Sequence, residues 1–120
     1  MTNIVAVLGS VTPPGRLSRA VGEALSRAGA RGIDTALIDL ATLRLPFADG
    51  SPLDGDAARV VEQLASAEAV LFATPVYRAS ITGSLKNLLD LTPVEALESK
   101  PCGIVAMGAT PHHFLAQLPL

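Results

Sequence analysis

Aromatic residues are scarce in this chain, which has no tryptophan, one tyrosine and three phenylalanines. Its interior must be built from alanine and branched aliphatics, within a hydrophobic fraction of 49%, and such a composition suits a buried parallel sheet under helices rather than a disordered chain. One cysteine, Cys102, excludes an intramolecular disulfide and agrees with a reducing compartment. As a small residue opening an apolar run, Cys102 is expected in the core. Positive charge is also in short supply: nine Lys plus Arg face eleven Asp plus Glu, for a formal net charge of −2. No basic stripe is present, so the electrostatic footprint of a nucleic-acid binder is missing. The longest apolar runs, Ile4 to Leu8 and Ala69 to Ala73, are strand-sized and fall far short of the roughly 20 residues that span a bilayer. The N-terminus passes from Met1 into a strand-like segment without the basic start and apolar stretch of a leader, so a cytoplasmic location is expected.

What is present alternates. The 120 residues fit a single domain with one hydrophobic core. Asn3 to Leu8 is a continuous β-rich run ending at Gly9, and a polar, proline-containing loop, Ser10 to Gly15, separates it from a helical pattern. Leu17, Val21, Ala24, Leu25 and Ala28 recur at helical spacing, with Gly29 and Gly32 as stop signals, so the spacing predicts a helix over about Leu17 to Ala30. Thr35 to Leu40 reads as a second strand. It leads into a long loop, Thr42 to Asp54, that Pro46, Gly50 and Pro52 keep irregular. Asp56 to Ser66 carries Ala57, Val60, Val61 and Leu64 on one stripe and reads as the second helix. Ala69 to Thr74, apolar nearly throughout, reads as a central strand stopped by Pro75. Ser84 to Leu91 places Leu85, Leu88 and Leu89 on one face, with Lys86 and Asp90 at ion-pair spacing on another, and reads as the third helix. Cys102 to Met107 reads as a fourth strand, ending at Gly108. The order βαβαβαβ implies right-handed crossovers and a parallel sheet covered on both faces.

In open parallel sheets ligands bind beyond the carboxyl ends of the strands, near the point where strand order reverses. Three loops therefore matter, beginning at Gly9, Thr74 and Gly108. The first leads into a helix whose free N–H groups carry about half a positive charge, and it offers the hydroxyls of Ser10, Thr12 and Ser18 with the guanidinium of Arg16. Such a loop suits a phosphate. The competing reading is structural, with Ser18 capping the helix and Pro13 and Pro14 stiffening the turn. The loop lacks the Gly-Lys-Ser/Thr ending of nucleotide triphosphatases and the GxGxxG pattern of dinucleotide-binding units, so a mononucleotide fits better than either.

The second loop carries the most specific pattern. TPVY at Thr74 to Tyr77, followed by GSLKNLLDL at Gly83 to Leu91, resembles the signature of the NADPH-dependent FMN reductase family. The opening Gly9-Ser10 with the later Ser18 is similar to that family's phosphate loop, and Gly108 to Ala116 (GATPHHFLA) resembles its alkanesulfonate-associated branch. The resemblance runs from Ile4 to Ala116. It implies an α/β, flavodoxin-like three-layer sandwich with a parallel sheet, and a hydride transfer from NADPH or NADH to FMN. It puts Ser10, Arg16 and Ser18 at the FMN phosphate, Pro75, Val76 and Tyr77 beside the isoalloxazine and ribityl chain, and Gly108, Ala109 and Thr110 along the other side of the ring. Gly15 and Leu17 stand where the family often has a hydroxyl, which implies modest phosphate affinity. Leu85, Lys86, Asn87 and Asp90 match the motif in a supporting role. The resemblance also implies a homo-oligomer, dimer or tetramer, and a separate flavin-dependent monooxygenase as recipient of the reduced flavin. Tyr77 can pack on the flavin edge or serve as a loop anchor. His112 and His113 lack the third and fourth convergent ligands of a zinc site and are assigned to loop packing, or to the surroundings of the flavin or nicotinamide.

Because the flavin itself carries hydride chemistry, no acid–base pair or nucleophile is required, and none is evident. Two alternatives stay open: a quinone, azo or chromate reductase that keeps FMN bound, and a non-catalytic flavin-binding module. In the flavodoxin-like strand order 2-1-3-4-5 a fifth strand covers the edge of the fourth. The residues after Met107 are too few for another helix, strand and closing helix, so Cys102 to Met107 is expected to be an exposed edge. The 1–120 flavodoxin-like domain is expected either to be a C-terminally truncated form of a longer reductase, lacking the last strand and helices, or to have that edge covered by a second subunit, with the resemblance favouring truncation.

Overall fold

A computed structural model describes residues 3–109. Four parallel strands, β1 (Asn3–Leu8), β2 (Asp34–Asp39), β3 (Ala69–Pro75) and β4 (Cys102–Met107), lie in the order β2-β1-β3-β4. The reversal falls between β1, which continues to the β2 side, and β3, which continues to the β4 side. Its register pairs Leu8 of β1 with Asp39 on one side and Ala73 on the other.

Strand alternation distributes the apolar residues to two faces. Ala6, Leu8 and Ala73 pack with Leu17 and Val21 of α1 (Arg16–Gly29). Val5, Val7, Ile38, Val70 and Phe72 pack on the opposite face with α2 (Gly55–Ser66) and α3 (Gly83–Leu91). Helices on both faces of a parallel sheet make the covered sheet that the alternation predicts, in the three-layer, flavodoxin-like form that the resemblance implies. Each fully buried aliphatic side chain contributes about 1.5–3 kcal/mol of apolar transfer.

The helices begin and end where the chain chemistry dictates. Leu17 and Val21 of α1 sit four apart and are buried, whereas Glu23 and Arg27 pair on the exposed face. Gly32, at φ 78°, takes the left-handed conformation beyond the end of α1. Ala57, Val60 and Leu64 bury the inner stripe of α2, and Lys100 donates to the Leu64 and Ala65 carbonyls near its C-terminal end. The Asp56 carboxyl lies below its ordinary value of 3.8, chiefly because the Arg44 N–H donates to it, with Arg59 adding its charge. Thr82 caps α3 by accepting from the Leu85 N–H at 3.2 Å.

Observed boundaries differ from the sequence reading by a residue or two. Leu40 leaves β2 and opens a short 3-10 turn (Leu40–Thr42), because the Asp39 carboxylate accepts from the Ala41 N–H and caps it. Pro75 extends β3, paired with Met107. Cys102 is a correction: it is exposed, not in the core, since β4 is an edge strand among the described residues and Cys102 opens it before the sheet gains cover. Thr110, His112 and His113 lie outside the described residues.

Gly9 is the most closely approached glycine among the described residues. Its N–H donates to the Ala73 carbonyl at 2.7 Å, and a Cβ there would meet that carbonyl oxygen at 2.9 Å and the Leu85 Cβ at 3.1 Å. Gly9→Ala is therefore expected to lower unfolding free energy by about 1–3 kcal/mol, as overpacking does. Urea denaturation checks this, and an unchanged midpoint would contradict the close approach.

Candidate functional site

The loop after β1 and the first turn of α1 form the wall of a cleft of about 230 Å³. Ser10, Thr12, Arg16 and Ser18 line it, with Pro75 from the end of β3. α1 has no acidic residue in its first turn, so no side-chain carboxylate there offsets the positive end of its dipole. The Ser10 and Thr12 hydroxyls stand 2.7 Å apart, and the Thr12 N–H donates to Ser10 Oγ at 3.3 Å. Ser18 Oγ accepts from the Gly15 N–H at 2.9 Å and donates to the Gly15 carbonyl at 2.8 Å. The capping role weighed for Ser18 is thus realised, through the third helical residue reaching back. Arg16 is exposed and forms no ion pair among the described residues.

The end of β2 supplies the opposite wall through Leu37, Asp39 and Ala41, none of which was singled out from the sequence. Their signal lies in the sheet and not in chain order: β2 neighbours β1, and residues at its carboxyl end fall beside the first loop. The Asp39 carboxylate is partly occupied by the Ala41 N–H at 3.0 Å.

Beyond β3 the chain makes a tight turn. Tyr77 and Ser80 exchange both backbone hydrogen bonds at 3.0 Å, and the central residues Arg78 and Ala79 have φ of 53° and 58°. Positive φ at both centres is the type I′ pattern, which normally recruits Asn or Gly. Here two residues without that freedom occupy it, and such strain concentrates at functional sites. The turn holds Tyr77 with 46% of its surface exposed, and the Val76 N–H donates to the Met107 carbonyl at 3.0 Å, tying this loop to the end of β4.

The structure gathers Ser10, Arg16, Ser18 and Pro75 into one cleft. Val76, Tyr77, Gly108 and Ala109 do not line it. They sit at the neighbouring carboxyl ends of β3 and β4, and Thr110 falls outside the described residues. Asn87, read as part of a supporting motif, clamps the long loop before α2: its Nδ2 donates to the Pro46 carbonyl at 2.9 Å, and its Oδ1 accepts from the Ala48 N–H at 3.0 Å. Phe47, between those contacts, is 87% exposed, and with Val11 and Ser84 it lines a second groove beside the first loop. No group of three or more potential metal ligands occurs among the described residues, and no helix there is long and apolar enough to cross a membrane.

Comparison with known proteins gives the family and the fold. The family model for NADPH-dependent FMN reductases matches residues 2–118. An NAD(P)H-dependent FAD/FMN reductase of Geobacillus thermodenitrificans is 40% identical over 86 residues, covering 69% of this chain and 46% of the relative. An FMN reductase (NADPH) of Pseudomonas aeruginosa is 33% identical over 118 residues, covering 93% of this chain and 62% of the relative. Among solved structures, an apo NADH:FMN oxidoreductase superposes with a TM-score of 0.87 at 30% identity, over 97% of this chain and 63% of that one. The chain thus spans between about half and two thirds of the lengths of these relatives.

The strained turn makes its own prediction. A left-handed conformation costs a residue with a Cβ about 1–2 kcal/mol, more than the roughly 0.4–1 kcal/mol of added chain freedom that glycine brings to the unfolded state. Ala79→Gly should therefore raise stability by up to about 1 kcal/mol, read by thermal denaturation, and a lower melting temperature would contradict strain at this turn.

Proposed function

The chain belongs to the NADPH-dependent FMN reductase family, and from that footing we propose that it binds FMN with its phosphate in the cleft between the first loop and β2, and promotes hydride transfer from NADPH or NADH to the flavin. One observation carries the reading. The cleft collects three hydroxyls, one guanidinium free of any ion pair among the described residues, and a helix N-terminus without an acidic first turn, which is the donor set of a phosphate dianion. Its size and the open backbone at Gly15 in its lining fit a mononucleotide phosphate, so the residues present accommodate the cofactor.

In this reading Arg16 neutralises phosphate charge, while Ser10 and Thr12 turn their hydroxyls from each other toward its oxygens. Ser18 exchanges its bonds to Gly15 for one to the anion. The Tyr77–Ser80 turn and the Gly108–Ala109 segment flank the position of the ring. Their task is orientation, because the flavin when bound supplies the hydride-accepting centre and no side chain has to act as acid, base or nucleophile. Pro75 and the half-exposed ring of Tyr77 present apolar surface that excludes water from one side. The same reading assigns the protein to the cytoplasm, as a homo-oligomer that passes reduced flavin to a flavin-dependent monooxygenase. Its support is the family and the branch resemblance of Gly108 to Ala116.

Steady-state NADH and NADPH oxidation with added FMN tests the activity. Turnover that is sequential in free FMN supports the reductase, ping-pong turnover with a quinone supports an FMN-retaining quinone reductase, and no oxidation indicates a binding module. Two substitutions test the placement. Arg16→Ala combined with Ser18→Ala should weaken FMN binding by about 1.5–3 kcal/mol per lost charge-assisted bond while sparing riboflavin, so equal loss for both flavins in fluorescence titrations would remove the phosphate from this cleft. Tyr77→Ala should alter the bound-flavin spectrum or the turnover with the fold intact by circular dichroism. Unchanged FMN affinity together with unchanged NAD(P)H oxidation would retire Tyr77 from the site.

A further inference from the structure

We infer that Thr82 is a positioning residue for the anion site: its hydroxyl holds the Gly9 carbonyl away from the cleft and thereby turns the Ser10 N–H toward the phosphate. The inference rests on the reading that the cleft takes the FMN phosphate. Thr82 does not itself line the cleft, yet it is 2% exposed and its Oγ1 donates to the Gly9 carbonyl oxygen at 2.6 Å, across 73 residues of sequence. Ser84 Oγ stands 3.3 Å from the same carbonyl and 3.1 Å from Thr82 Oγ1. The Gly9 N–H is committed in its turn to Ala73 at 2.7 Å, so the peptides on both sides of Gly9 are held from β3 and α3.

Peptide geometry carries the consequence. The described backbone has no cis peptide bond, and in a planar trans peptide the N–H points opposite to the carbonyl. With the Gly9 oxygen drawn to Thr82, the N–H of Ser10 must point away from α3. It finds no acceptor among the described residues, although Ser10 lines the cleft. If this peptide rotated, a carbonyl oxygen would face the anion in place of a donor, turning attraction into repulsion. Thr82 is itself held by its own N–H, which donates to Thr74 Oγ1 at 3.3 Å, while Thr74 Oγ1 donates to the Pro75 carbonyl at 2.7 Å. Thr74 and Thr82 are both buried, so a chain of two hydroxyls links the turn beyond β3 to the first loop.

The test is the ratio of riboflavin to FMN dissociation constants. Thr82→Val preserves shape and removes the hydroxyl. It should cut that ratio about tenfold, the loss of one hydrogen bond to a charged group, with riboflavin binding changed by less than about twofold. Losing the α3 cap lowers stability as well, but a purely structural loss would weaken both flavins alike. Thr82→Ser, which keeps the hydroxyl, should restore the ratio. A native protein that binds both flavins equally overturns the cleft reading and this inference with it. A native preference for FMN that survives Thr82→Val, or that Thr82→Ser fails to restore, overturns this inference alone. Should Thr82→Val not fold, the native protein still decides: the Ser10 amide resonance is expected to move on adding FMN and to stay in place with riboflavin, and its failure to respond to FMN overturns the assignment.

Discussion

The approach of Gly9 to β3 is the constraint on which the rest depends. β1 can run directly beside β3 to its end only because no Cβ intervenes between Gly9 and the Ala73 carbonyl, where even one carbon would sit at 2.9 Å. That contact brings the first loop under the N-terminus of α3, within reach of Thr82, and starts the turn that leads into α1. The close approach of the first loop to β3 and α3, and with it the direction of the first backbone donors, rests on one residue's missing side chain.

From this point the site is built outward by local chemistry. The chain leaves β1 through Ser10 and Thr12, whose hydroxyls bond each other, and enters α1 through a Gly15–Ser18 exchange that satisfies the helix start without any carboxylate. Beyond β3 it is steered by a two-residue turn that forces Arg78 and Ala79 into left-handed conformations. Strain of that kind persists only where surrounding bonds over-determine it. Here the paired Tyr77 and Ser80 and the Val76 link to Met107 do so. The result is a pair of hydrogen-bonded rims at neighbouring carboxyl ends of the sheet.

Several features of the site were out of reach from the sequence for identifiable reasons. Asp39 and Leu37 belong to a strand whose spatial neighbour cannot be read from chain order, and only the β2-β1 pairing sets them across from Ser10 and Arg16. Asn87 lies in a recognisable helical motif, but its two bonds to Pro46 and Ala48 depend on where an irregular loop returns. Cys102 illustrates the opposite error. An apolar run predicts a strand, yet burial is a property of position in the sheet, and the first residue of an edge strand stays open.

What the sequence determined by itself is the alternation of strands and helices, the faces they bury and the residue types of the loop after β1. Hydrophobic period, capping residues and glycine stops act over a few neighbours and are written in local order. The TPVY and GSLKNLLDL segments added the family. Only the tertiary structure decided which loops meet, which wall Asp39 lends to the cleft, and that Thr82 reaches back to Gly9. Those contacts join residues that are far apart in the chain, and they exist because strand pairing and close packing bring together backbone groups that sequence spacing cannot place.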